Sequence, residues 1–455
     1  MGGGSGRVRR CLRQGVPVGL GGVALCSLLV AALAFGGTGK LTPKDCISDD
    51  VTGADECAQR IDGLDAVQAL AVSDDGRSVY ATGFVDDVIV RFKRARNGKL
   101  TPKDCIQDED SVVDTCPRQV KGLDGPNAVA ISDDGKSVYV AGGFDDAIVR
   151  FKRNTRNGKL TPKDCIDDND TGADDCAQET DGLDSPNAVV VSDDGKSVYV
   201  ASFNDDAIVR FKRNTRTGKL TPRDCVEDDD GAPDDCAEEA NGLNGVTSVG
   251  LSEDGKSVYA GSFFEDTILR LKRNRRNGKL TPKDCVEDND TGVEDCAQEA
   301  DGLEGVQALA VSDDGKSVYT VSSADSAIVR FKRNRRTGKL TPKDCVDDND
   351  TGADDCAQET DGLDVAAAVA VSADGKSVYA GSFMDDAIVR FKRNRRNGKL
   401  TPKDCVDDKH TGADDCAQET DGLRSVQALT VSADGKSVYT ASSGDDAVAR
   451  LKRER

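Results

Sequence analysis

Tryptophan is absent from the 455-residue chain, histidine occurs once, methionine twice, and aromatic residues make up only 4%. So sparse a set of rings excludes a stacking platform for sugars or single strands, which needs successive aromatic faces. With His410 as the one histidine, a tetrahedral zinc site and the commonest general base are both poorly provided for. Positive charge is short as well: 61 Lys and Arg stand against 82 Asp and Glu, a formal net charge of -21. Phosphate binding needs a basic footprint, so no nucleic-acid partner is expected.

What the chain has instead is repetition. The string GKLTPKDC returns with its cysteine at Cys46, Cys105, Cys165, Cys225, Cys285, Cys345 and Cys405, so the first step is 59 residues and the other five are 60. One supersecondary unit has been copied along nearly the whole chain. A second cysteine follows each of these eleven positions later, at Cys57, Cys116, Cys176, Cys236, Cys296, Cys356 and Cys416. Seven local disulfides are expected, since the pairs lack the further ligands zinc would need.

Ahead of the repeats, Arg7, Arg9, Arg10 and Arg13 precede an uncharged stretch from Gly15 to Gly39 that passes through Ala32-Leu33-Ala34. Residues 1–39 read as a signal peptide cleaved after Ala34, or as a single N-terminal membrane anchor. Both readings place residues 40–455 outside the cytoplasm, secreted or held at the cell surface. Any membrane contact is expected only through that segment.

Within one unit, Lys159 to Ile166 reads as a short strand, followed by an acidic loop between Cys165 and Cys176 and an apolar run from Ala188 to Val191. Ser192 to Lys196 is a tight turn, Ser197 to Ala201 a strand, Asn204-Asp205-Asp206 a turn, and Ala207 to Lys212 a strand. Four antiparallel strands repeated seven times describe an all-β, seven-bladed propeller. The first copy opens with an outer strand alone, Lys40 to Ile47, and the last ends at Arg455 without one. The N-terminal strand is therefore expected to complete the last blade and close the ring.

The recurring SDDGKSVYVAS, then DDAIVRF and TGKLTP, best seen around Tyr199, resembles the bacterial YVTN and lactonase-type propeller repeats over about nine-tenths of the chain. The resemblance implies a propeller fold and admits a 6-phosphogluconolactonase-like or cyclase-like enzyme using the central channel. Where such enzymes have a histidine near the innermost strand, this chain reads Pro126-Asn127 and Pro186-Asn187.

Eleven positions after each second cysteine, Gln68, Asn127, Asn187, Thr247, Gln307, Ala367 and Gln427 should start the innermost strands and line the channel. None is an acid, base or activated nucleophile, though the amides offer hydrogen bonds to a polar ligand. The blades barely differ, whereas an active site in a pseudo-symmetric ring should place odd residues in one or two of them. Catalytic residues are accordingly not expected. Tyr80, Tyr139, Tyr199, Tyr259, Tyr319, Tyr379 and Tyr439, one per blade, are expected to pack between blades with a hydroxyl partner, and Phe84, Phe144, Phe203, Phe263 and Phe383 to pack likewise.

The acidic loops resemble the first half of a calcium loop in alternating oxygen donors: Asp167, Asn169, Thr171 and Asp174, then Glu287, Asn289 and Thr291, then Asp347, Asn349 and Thr351. Calcium is the one cofactor these residues suggest. Strand alternation puts these loops and pairs such as Asp205-Asp206 on one, acidic face, with Arg275, Arg276 and Lys279 on the other. The expected function is a non-enzymatic binding or scaffold module that takes a protein, cell-surface polymer or cation on the acidic face. The alternatives are the lactonase-like enzyme and a structural surface protein.

Overall fold

The computed structural model describes residues 37–455 except 53–56, 112–115, 173–175, 230–235, 292–295, 353–355 and 412–415. The leader expected over residues 1–39 lies almost wholly outside the described residues. Among these, no helix is long and apolar enough to cross a membrane. Seven sheets repeat one plan. In the first blade Val67–Val72 is innermost, Ser78–Gly83 and Val88–Arg94 follow antiparallel, and Leu100–Asp108 is the outer strand. Ser78–Gly83 is buried along its whole length. Its Val-Tyr-Ala run is apolar on both faces because another blade covers each of them.

Innermost strands touch their neighbours around the full circle, the first against the seventh included. The ring closes as expected: Leu41–Ser48 pairs antiparallel with Ala447–Arg453, Cys46 opposite Ala449. The expectation of four strands per blade needs correcting to five. Gln59–Arg60 runs parallel outside Leu41–Ser48, with Ile47 opposite Gln59, and every blade repeats this short strand. The cause is the cross-link. All seven cysteine pairs are joined locally, from Cys46–Cys57 to Cys405–Cys416, so each acidic loop returns beside the strand it left.

Between blades the packing is apolar in the middle and ionic toward one edge. Tyr80 is fully buried among Ile89 and Ile106 of its own blade and Leu123, Val138 and Phe151 of the next. Its hydroxyl donates to the Gly158 carbonyl at 2.5 Å and accepts from Arg153 Nε at 2.9 Å, while Arg153 Nη2 meets Asp75 at 3.0 Å. All seven boundaries carry this tyrosine–arginine–aspartate latch. Gly158 sits at φ +75°, and a Cβ there would fall 2.0 Å from Ser78 Oγ, so only glycine lets the turn approach the tyrosine. The expected hydroxyl partner of the tyrosines is thus a carbonyl and a guanidinium together.

Candidate functional site

Antiparallel alternation sends the disulfide loops and the turns between second and third strands to one face of the disc. The turns after the innermost and third strands emerge on the other. On the disulfide face the innermost strands open with a β-bulge in every blade, between Val67 and Ala69, Pro126 and Ala128, Pro186 and Ala188, and so on around the ring. The residue left out of register is in each case the expected channel residue: Gln68, Asn127, Asn187, Thr247, Gln307, Ala367 or Gln427. A bulge frees a side chain from the ladder and re-aims it. These residues are half-buried. Gln307 and Gln427 reach Ser323 and Ser443 at 3.2 and 3.3 Å, and Thr247 donates to the Val306 carbonyl at 2.6 Å.

Three positions ahead of each bulge stands a rim residue whose placement depends on the paired aspartates. Asp65 N donates to Asp86 at 2.7 Å and Ala66 N to Asp446 of the seventh blade at 2.9 Å. The same arrangement holds Asp124 and Gly125 through Asp145 and Asp87, and Arg424 and Ser425 through Asp445 and Asp386. The paired aspartates were expected on an exposed acidic surface. They are largely buried, because the backbone N–H groups of two adjacent blades need acceptors there.

The rim breaks the sevenfold pattern. Its positions read Asp65, Asp124, Asp184, Asn244, Glu304, Asp364 and then Arg424, a cation where the other blades place acidic or amide groups. The adjoining turns break it again. Phe144, Phe264 and Met384 are about 60% exposed, while the fifth and seventh blades offer Ala324 and Gly444 at the same position. Phe84 meets Phe144 at 5.0 Å and Phe203 meets Phe264 at 5.4 Å between centroids. The phenylalanines expected inside the blade packing therefore crown the mouth instead, since the turn that carries them lies above the innermost strands. The expectation that the blades barely differ holds for the core and fails at this mouth.

Its carboxyls are perturbed. Burial, then the charge and hydrogen bond of Asp446, push Asp65 up to about 6. Burial and a hydrogen bond with Asp124 take Asp87 to about 7, against the pull of the Gly125 N–H. Glu304 is raised by burial and by Asp266 and Asp288. Groups poised near neutral pH, apolar walls, half-buried amides and one cation make a mouth equipped to bind a small polar ring and to move a proton. The expectation of a channel without acid or base considered only the bulged position; Asp65, three residues earlier, was missed. Arg424 was legible as the one basic residue in its column of the repeat.

At the opposite mouth the innermost strands end in Ser-Asp-Asp-Gly turns. The second aspartate serves the latch, and the first faces the opening. Burial, then Asp193, Asp74 and Glu253, push Asp133 up to about 6, so carboxylates of four blades converge there. The sixth and seventh blades carry Ala373 and Ala433 instead.

The calcium candidates differ in burial. Asp167, Glu287 and Asp347 are buried, whereas Asn169, Thr171, Asn289, Thr291, Asn349 and Thr351 are exposed, and Asp174 lies outside the described residues. Asp168 rather than Asp167 organises its loop, accepting from the N–H groups of Asp170 and Thr171 at 2.9 and 3.2 Å and of Leu183 at 2.9 Å. Among the described residues no three His, Cys, Asp or Glu side chains are placed to hold an ion.

A family model described as lactonase, 7-bladed beta-propeller, matches residues 102–231 and 299–412, more than half of the chain. No curated protein matches. Among solved structures, a protein of Bacteroides uniformis provisionally named a 6-phosphogluconolactonase is similar, at 20% identity and TM-score 0.57, covering 80% of this chain and 87% of that one. Its counterpart in Bacteroides fragilis aligns at 18% identity and TM-score 0.56, covering 85% and 89%. A periplasmic gluconolactonase of Pseudomonas aeruginosa aligns at 15% identity and TM-score 0.54, covering 77% and 86%. At these identities the structures support the fold. The family match overturns the expectation of a non-enzymatic scaffold and favours the lactonase alternative; what differs from blade to blade lies on the rim and not in the repeated core. The chain belongs to the lactonase family of seven-bladed β-propellers.

Proposed function

We propose that this protein hydrolyses a sugar-derived lactone at the channel mouth on the disulfide face. The observation that carries the reading is Arg424, a lone cation on a rim of carboxylates and amides, in the blade that adjoins Asp65. The lactone ring rests against the phenylalanine wall, and the bulged amides of Gln68, Asn127 and Gln427 bind its hydroxyls. Asp65 takes a proton from water, whose oxygen bonds to the lactone carbonyl carbon. Arg424 stabilises the charge gathering on the carbonyl oxygen, as an oriented donor does for a tetrahedral intermediate. The ring C–O bond then breaks and its oxygen receives the proton from Asp65, leaving a hydroxy acid. Seven disulfides support operation in an oxidising compartment outside the cytoplasm.

The test is hydrolysis of δ-gluconolactone and 6-phosphogluconolactone by purified protein, corrected for the uncatalysed rate. Arg424→Ala should lower kcat by roughly 10²–10³, and Asp65→Asn by roughly 10²–10⁴. The wild-type rate should rise with pH through about 6, where Asp65 ionises. Absence of turnover on both lactones, or turnover indifferent to both substitutions, would overturn the proposal.

A further inference from the structure

Away from the channel, the other face carries clefts that the lactonase reading does not use. One of about 860 Å³ lies between the second and third blades, and one of about 620 Å³ between the third and fourth. The first is lined by Lys152 and Lys163 on one side and Arg216 on the other, the second by Lys212, Arg223 and Arg276. All six side chains are exposed, and none has an ion-pair or hydrogen-bond partner among the described residues. The cations that build the fold are different ones: Arg150 and Arg210 are held bidentately by Asp164 and Asp224 at 2.6 to 2.8 Å. Unpaired cations gathered in clefts of a chain with net charge -21 mark a surface where local charge opposes the overall sign.

We propose that this face binds a linear phosphate-bearing polymer. Two features favour a polymer over a single small anion. The clefts repeat on consecutive blades, and both border the same turn, with Thr215 lining one and Arg216 the other. A chain can therefore run from cleft to cleft across that turn. A phosphate chain is taken as the occupant because it carries charge at every repeat unit and its oxygens accept both from the guanidinium forks of Arg216, Arg223 and Arg276 and from the ammonium groups of Lys152, Lys163 and Lys212, and polygalacturonate decides between it and a carboxylate chain. The attraction is ionic and exposed to solvent, so binding weakens steeply with salt.

The probe is inorganic polyphosphate, titrated into the intact protein at several salt concentrations, with polygalacturonate of similar length and tripolyphosphate as comparison arms. Polyphosphate should bind, with log affinity falling linearly against log salt, and tripolyphosphate should bind at least about tenfold more weakly, having too few charges to span two clefts. Replacing Arg216 and Arg276 together by Ala should weaken polyphosphate by about tenfold or more and flatten the salt slope by about one per lost contact. Neither side chain supports the fold, so the melting temperature should stay put, and lactone hydrolysis should be unchanged. Failure of polyphosphate to bind, or binding unaffected by the double substitution, overturns the proposal. Equal affinity for polygalacturonate overturns the assignment to phosphate, and equal affinity for tripolyphosphate overturns the polymer.

Discussion

Arg94 Nε donates to the hydroxyl of Tyr439 at 2.7 Å although the two residues stand 345 positions apart. The first blade is thereby joined to the seventh by the same contact that joins every consecutive pair, and the boundary where the chain begins and ends is no weaker in kind than the others.

Tyr439→Phe and Tyr199→Phe should accordingly destabilise the protein by similar amounts. Each leaves the Nε–H of a buried guanidinium and a turn carbonyl without their partner, at a cost of about 1–3 kcal/mol. Urea unfolding of both variants checks this, through a lowered midpoint at unchanged slope. A Tyr439 variant much less stable than the Tyr199 one would mean that closure is a weak point of the ring.

Deletion of residues 37–48 should cost far more. It removes the strand paired to Ala447–Arg453, one disulfide, and the Asp45 partner of Arg450, which is held at 2.7 Å. An unpaired outer edge remains, which is a template for association. Light scattering and a melting curve would show aggregation and early unfolding, and a truncated protein that melts like the intact one would remove the role assigned to that strand.

Stability should fall as pH rises from about 4 to 7. Burial raises Asp86 to about 7 against the pull of the Asp65 N–H, and Asp65, Asp87 and Asp133 rise to between about 6 and 7. Their unfolded values lie near 3.9. Over the interval between, the folded state holds more protons than the unfolded one, so deprotonation drives unfolding. Asp314 acts in the opposite sense: burial raises it, but hydrogen bonds from Arg393 and Ser312 prevail and bring it to about 2, so its contribution is lost as pH drops below about 4. Melting temperatures at constant ionic strength should peak near pH 4, and a curve rising through neutral pH would contradict the assignment.

Val365→Gly should stabilise. Val365 has φ +54° at the rim position where Gly125, Gly245 and Gly305 serve other blades, and the left-handed region costs a β-branched residue about 1–2 kcal/mol. Glycine regains part of that, less its own unfolded-state entropy of about 0.5–1 kcal/mol. A midpoint that falls on substitution would show the valine side chain to be worth more than its strain.

The fold was legible because a unit of about 60 residues states its strand order seven times over, and because Lys40 to Ile47 stands without its blade. The fifth strand was not, since Gln59–Arg60 has no strand pattern and pairs only because Cys57 is tied to Cys46. The site was harder to read. In Ser-Asp-Asp-Gly the two aspartates look alike, yet Asp134 holds Arg213 while Asp133 faces an opening. Asp205 and Asp206 read as surface charge until the backbone N–H groups of Asp184 and Gly245 are seen to need them. Arg424 was visible in the sequence all along, but its neighbours in space come from other blades.

Each latch takes its tyrosine and aspartate from one blade and its arginine from the next, so every unit carries half of two identical joints. Any unit can stand beside any other, and a duplicated one arrives with both halves in place. No joint counts how many there are. That number is left to the wedge shape near the axis, where Gly250 vacates the space that Leu309 of the following blade fills. A gene for such a ring can gain or shed a segment without inventing a contact, and has only curvature left to adjust.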